Sequence, residues 1–105
     1  MSNTASGNVQ RLSQNRLSFV FIIDGIQHTF NATVSPGLQP FTSNNLTLKY
    51  GHIDDLTSTR TYSGRIGTDT LSLRWNNGPT VEGTLNVPGL SPANTVNGTG
   101  AWEQN

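Results

Sequence analysis

The chain has 105 residues, enough for one domain, and its six basic and six acidic side chains give a formal net charge of zero. Thr, Asn, Gly and Ser contribute 14, 12, 11 and 10 residues, whereas 11% of residues are charged and 32% are hydrophobic. A nucleic-acid-binding protein normally has a basic patch, and a disordered chain lacks aromatic residues, which make up 8% here. We therefore predict one folded domain over residues 1–105 that does not bind nucleic acid.

The sequence also lacks several features that would place it in a class. It has no cysteine, which excludes disulfides and thiolate metal sites, and no apolar run near the roughly 20 residues that span a bilayer. Its start has neither the basic nor the apolar region of a signal peptide, so we expect a cytoplasmic protein or one exported without a cleaved signal. Asn31, Asn45 and Asn97 match the glycosylation pattern, but we expect no glycan because such matches arise by chance in a chain rich in Asn and Thr.

The first strong strand signal is an unbroken apolar run of Phe19, Val20, Phe21, Ile22 and Ile23. Because strand side chains alternate between two faces, Val20 and Ile22 point away from the core. A strand that is apolar on both faces is either covered on both or prone to associate with another chain. A covering segment of the same chain and a subunit interface are both open, and we predict a homo-oligomer formed through this strand.

Asp24 and Gly25 follow this run and predict a two-residue hairpin turn, because both central positions of the favoured turn have positive φ. Pairing across the turn puts Ile23 opposite Ile26, so the apolar residues of both strands share one face. The apolar positions of the second strand are Ile26, His28, Phe30, Ala32 and Val34.

Alternation continues along the rest of the chain and predicts five more strands. Loops are expected at residues 35–45, 51–59 and 88–94, with one helical turn at residues 53–56 and a weak additional strand near Val9 and Leu12. Seven or eight strands with short connections predict an all-β domain, either an antiparallel β-sandwich or a small β-barrel with a meander-like order. The inward positions of the five strands are Leu46, Leu48 and Tyr50; Tyr62, Gly64 and Ile66; Leu71, Leu73 and Trp75; Val81, Gly83, Leu85 and Val87; Val96, Gly98, Gly100 and Trp102.

The connection after Trp75 contains Asn77 and Gly78, which suggest a second two-residue turn. Such a turn would pair inward Trp75 with outward Thr80, so the loop needs an odd number of residues. Three residues would pair Leu73 with Val81, and five would pair Arg74 with Glu82. We predict the longer loop, projecting beyond the sheet, which makes it a candidate site.

The glycines on the apolar faces are the least expected residues of these strands. They allow curvature and room for a large neighbour such as Trp75, which we favour, or they leave a cavity for a ligand. They are Gly64, Gly83, Gly98 and Gly100.

Aromatic and amide side chains at strand ends form the candidate binding site: Trp75, Asn76, Asn77 and Trp102. An exposed indole stacks on the C–H face of a sugar while amides bond its hydroxyls, although both tryptophans also fit an ordinary core. This pattern predicts a non-enzymatic ligand-binding module, most concretely a lectin-like carbohydrate-binding protein, with no cofactor and no metal.

Two other functions remain open from the sequence. The first is a structural or self-assembling homo-oligomer, supported by the apolar run and the low charge. The second is a small hydrolase-type enzyme that uses His28, or His52 with Asp54 and Asp55, as acid–base groups. The outward charged residues are interpreted as aids to solubility and cross-strand pairing: Lys49, Arg65, Arg74 and Glu82.

Overall fold

The computed structural model of the protein describes residues 3–35, 37, 41–86 and 94–104. These form one 3-10 turn, Ile53–Asp55, and eight strands: β1 (Asn3–Ser13), β2 (Arg16–Ile23), β3 (Ile26–Thr33), β4 (Thr42–Tyr50), β5 (Thr59–Ile66), β6 (Thr70–Trp75), β7 (Thr80–Thr84) and β8 (Asn94–Gln104). The weakly predicted strand is therefore real, as β1, and the helical turn is confirmed. In that part of the chain no helix is long and apolar enough to cross a membrane.

One predicted loop is shorter in the structure, and another lies almost entirely outside the described residues. The loop expected at residues 35–45 is shorter than predicted, because β4 begins at Thr42 and Ser43 is already buried in the barrel wall. The loop expected at residues 88–94 lies outside the described residues, apart from Asn94, which begins β8.

The strands close into a barrel in the order β1-β2-β3-β8-β5-β6-β7-β4, with every pair antiparallel. This confirms the small all-β barrel and excludes the sandwich. The meander order holds within β1–β3 and within β5–β7. It fails at β4, which returns beside β1, and at β8, which returns beside β5, so each half of the chain is a Greek key. The two halves meet at a β3–β8 junction and a β4–β7 junction.

The predicted hairpin between β2 and β3 is confirmed in turn and register. Asp24 and Gly25 have φ values of 52° and 78°, as this turn requires. Ile23 pairs with Ile26, and the register continues unbroken to Arg16 and Thr33. Local turn chemistry and the apolar pattern therefore specify the same pairing.

The inward glycines lie where neighbouring backbones approach closely. A Cβ atom at Gly64, Gly83, Gly98 or Gly100 would collide with a carbonyl oxygen of an adjacent strand. Large side chains sit beside them: Leu46 pairs with Gly83 on one side and with Gly7 on the other. This alternation of small and large residues fits the interior of a small barrel, which supports curvature as the role of these glycines.

The outer face of β2 is not covered by any described part of the chain. Ile22 is 54% exposed, and Val20 beside it is partly exposed. The alternative in which the same chain covers this strand is therefore not observed. The inward residues Phe19 and Phe21 are fully buried.

Candidate functional site

The two tryptophans of the predicted site lie inside the barrel. Trp75 is 1% exposed and Trp102 7% exposed, and the ring of Phe30 lies 5.2 Å from the first and 4.9 Å from the second between ring centroids. Phe19 and Tyr62 complete this cluster around Trp75. A sugar stacked on either indole is therefore not supported, because the barrel uses both rings as core.

The loop after Trp75 has an odd number of residues, as predicted, but it is shorter than predicted and does not project beyond the sheet. Leu73 pairs with Val81, which is the register of a three-residue loop. The Trp75 amide donates to the carbonyl of Pro79 at 2.8 Å, and the Gly78 amide donates to the carbonyl of Trp75 at 3.1 Å. Gly78, at a φ of 116°, makes this compact turn possible. The loop therefore closes tightly, and the prediction of a long projecting loop is wrong.

The two asparagines of this turn point to different places. Asn77 donates from Nδ2 to the carbonyl of Asp55 at 3.0 Å and so ties the 3-10 turn to the β6–β7 turn. Asn76 is exposed, and its Oδ1 accepts the Thr61 amide at 3.4 Å. Asn76 alone of these two lines the groove described below.

In the 52–55 segment, the Asp55 carboxylate and the backbone of His52 and Asp54 form local hydrogen bonds. The Asp55 carboxylate accepts the His52 amide at 3.1 Å, and the Thr57 hydroxyl donates to the carbonyl of Asp54 at 2.7 Å. Within the described ranges, no group of three or more His, Cys, Asp or Glu side chains is placed to hold a metal ion. The geometry of this segment accounts for a capping loop and gives no support for a catalytic centre.

His28 is buried at 3% exposure in the barrel wall, where it pairs with Phe21. Burial lowers the pKa of His28, because desolvation disfavours the charged imidazolium. The unfolded chain therefore takes up this proton first, and stability falls as pH drops below about 6.5. Its Nδ1 has no hydrogen-bond partner in the described chain.

A groove of about 840 Å³ runs across β3, β8, β5 and β6. Strand register aligns its polar side chains in two rows perpendicular to the strands. The first row contains Arg16, Thr33, Thr99, Thr61 and Asn76. The second row contains Ser35, Asn97, Ser63 and Arg74.

Between the two rows, the floor of the groove is formed where the β3–β8 ladder is interrupted. Regular pairing ends at Ala32 and Gly100, and one isolated bridge joins Ser35 to Asn97. Because Gly98 has no side chain, the Tyr62 hydroxyl reaches across it and donates to the carbonyl of Thr33 at 2.7 Å.

The Thr33 hydroxyl provides a second replacement for the missing ladder. It donates to the carbonyl of Thr99 at 3.1 Å and accepts the Thr99 amide at 3.4 Å. The backbone groups at the floor are thus satisfied by side chains, so the opening does not leave them unpaired.

Charge in the groove is positive. Arg16 and Arg74 are exposed and line it, and no carboxylate does so among the described residues. The nearest acidic neighbour by strand register is Glu82, which lines an adjacent depression together with Arg74.

Sequence reasoning missed most of this groove. The outward position of Arg74 was interpreted as an aid to solubility and cross-strand pairing, and Asn76 was named because its amide could bond a sugar stacked on Trp75. The available signal was the run of Thr, Ser and Asn at outward strand positions, but only the strand order brings these positions together. The chain shows no significant match to models of known protein families, to curated proteins or to solved structures.

Proposed function

We propose that the protein is a non-enzymatic module that binds carbohydrate in the outer groove. The observation that carries this proposal is the double row of hydroxyl and amide side chains across four neighbouring strands. Sugar hydroxyls both donate and accept hydrogen bonds, as Ser, Thr and Asn side chains do. A rigid barrel wall holds these groups in place before the ligand arrives, which reduces the entropy lost on binding.

Some side chains of the rows are better placed than others to bind. Thr33, Thr99 and Asn76 already bond within the chain. Ser63 and Asn97 are exposed and make no side-chain hydrogen bond to another described residue, so their polar groups are free for a ligand.

A glycan array followed by calorimetric titration of the strongest ligand tests the proposal. The double variant Ser63→Ala with Asn97→Ala is expected to bind at least about tenfold more weakly, because two hydrogen bonds are lost. The matched control is Ser6→Ala with Asn45→Ala, which makes the same chemical changes at exposed positions outside the groove. Absence of any glycan binding, or equal losses in the two variants, would contradict the proposal.

We propose secondly that the outer face of β2 mediates self-association. Its support is the exposure of Ile22 and Val20 on a barrel wall that is otherwise rich in polar residues. Each side chain, once fully buried, contributes roughly 1.5–3 kcal/mol. Val20→Lys with Ile22→Lys should lower the mass measured by light scattering, whereas the control Ile53→Lys, at another exposed apolar position, should leave it unchanged. A monomeric wild type would overturn this second proposal.

A further inference from the structure

We infer that the groove takes an acidic oligosaccharide whose anionic groups bind Arg16 and Arg74, an inference that rests on the carbohydrate-binding function proposed above. Arg16 begins β2 at one end of the first row, and Arg74 lies in β6 at the opposite end of the second row. Three strands, β3, β8 and β5, separate them. The two guanidinium groups therefore bracket the hydroxyl and amide side chains.

The spacing of the two arginines favours an extended ligand. Neighbouring strands lie about 4.8 Å apart, so four steps from β2 to β6 separate the two backbones by about 19 Å along the sheet. A single monosaccharide is much narrower than this backbone separation. A short chain that crosses the strands reaches both, with its uncharged hydroxyls over Asn97 and Ser63 between them.

The chemistry of the two ends favours an anion. A guanidinium presents paired N–H groups that match the two oxygens of a carboxylate or a sulfate, and such bonds are stronger than neutral ones. Because the formal net charge of the chain is zero, overall attraction cannot produce a preference for acidic ligands. Any such preference must come from a local arrangement, and the groove has two cations and no lining carboxylate among the described residues.

Because Glu82 lies near Arg74, the two arginines are expected to contribute unequally to the preference for anionic ligands. Glu82 lies diagonally across from Arg74, on β7, and shares the adjacent depression with it. No ion pair joins the two side chains, but a carboxylate so placed repels an anionic ligand near Arg74. Arg16 pairs by strand register with Ser13 and Thr33, neither of which is acidic, so it is expected to supply the larger part of the anion preference.

The test compares acidic oligosaccharides with their neutral counterparts by calorimetry at low salt. The probes are an oligogalacturonate with its methyl ester and a heparin-derived oligosaccharide with its desulfated form, which separate carboxylate from sulfate recognition. At least one acidic probe should bind about tenfold more tightly than its neutral counterpart. Arg16→Gln with Arg74→Gln should abolish this difference, and Arg16→Gln alone should remove more of it than Arg74→Gln.

The control variant is Arg65→Gln with Lys49→Gln, which removes the same charge from exposed outward positions that do not line the groove. It should keep the full preference. Equal binding of the acidic and neutral probes would overturn the inference and leave the proposed function standing, and so would an equal loss in the control. Failure of all probes, together with a silent glycan array, would overturn the proposed function itself.

Discussion

The two junctions between the Greek keys have ladders of equal length and differ in the contacts beyond the end of each ladder. At the β4–β7 junction, five consecutive pairs run without a break from Asn45 with Thr84 to Lys49 with Thr80. At one end of this ladder, the Ser43 hydroxyl donates a hydrogen bond to the carbonyl of Thr84. The β3–β8 ladder also has five consecutive pairs, from His28 with Gln104 to Ala32 with Gly100. Beyond them, the Thr33 and Tyr62 hydroxyls bond the backbone before a single isolated bridge joins the two segments again.

The difference shows how a closed barrel can form a groove on its outer wall. Along the β4–β7 ladder, the wall carries a smaller depression of about 580 Å³, whose lining includes Thr47 and Glu82. Where Gly98 lets the Tyr62 hydroxyl reach the backbone of β3, the wall opens and the Thr33 carbonyl stays bonded. The proposed site therefore depends on a core residue, because the same tyrosine fills the interior and closes the floor.

Trp75 is the test with the largest expected effect, since its indole lies in the core beneath the groove. Trp75→Ala removes its ring contacts with Phe30 and Tyr62 and should lower the free energy of unfolding by about 3–5 kcal/mol in urea denaturation. The milder Trp75→Phe should fold and still bind ligand. Full stability of the alanine variant would show that the indole is not a core residue.

Gly98→Ala tests the close approach of the backbones at the interrupted β3–β8 junction. The added methyl group would meet the Thr33 carbonyl and, at 2.8 Å, the Tyr62 hydroxyl, so the variant should lose about 1–3 kcal/mol of stability. Gly51→Ala is the matched control, because the nearest atom to its new methyl group, an Asp55 carboxylate oxygen, is 3.6 Å away. Equal melting temperatures of the two variants would contradict close approach at the β3–β8 junction.

Tyr62→Phe removes the hydrogen bond to Thr33 and should cost about 1–3 kcal/mol, because a partly buried carbonyl loses its partner. Burial raises the pKa of Tyr62, so above the unfolded value near 10 the unfolded chain releases a proton that the folded chain retains. Wild-type stability should therefore fall as pH rises above about 10, and Tyr62→Phe should show a smaller fall. Tyr50→Phe serves as the control and should retain the alkaline loss.

Thr33→Val gives the smallest expected effect and compares the junctions directly. The change keeps the shape of the side chain but removes the hydroxyl that bonds the backbone of Thr99, at about 1 kcal/mol. Thr47→Val makes the same substitution at an exposed position of the β4–β7 junction and should be nearly neutral. Hydrogen exchange should accelerate at the Thr99 amide in the first variant, and an unchanged rate there would show that the hydroxyl does not replace the ladder.

The sequence predicts those parts of the fold that local physics determines. The Asp24–Gly25 turn sets the β2–β3 register, and side-chain parity requires an odd loop after Trp75. The length of that loop was not predictable from parity, because three and five residues satisfy it equally.

The groove could not be predicted because its rows join distant parts of the chain. Thr33 and Thr99 are 66 residues apart, and no local feature of the sequence specifies that β3 pairs with β8. Alternation places Trp75 and Trp102 on inward faces, as the structure confirms, but whether an indole near a strand end is covered depends on how the barrel closes around it. Outward Thr and Asn residues become a site only once the Greek-key order aligns their strands.

Amide chemical shifts during titration with the strongest glycan test the central claim that the interrupted β3–β8 junction forms the binding site. The largest changes are expected at four residues around this junction: Thr33, Ser63, Asn97 and Thr99. The β4–β7 junction, represented by Thr47 and Glu82, should change little. Larger shifts at the β4–β7 junction than at the β3–β8 junction, or saturating binding that leaves Asn97 and Thr99 unmoved, would contradict the account.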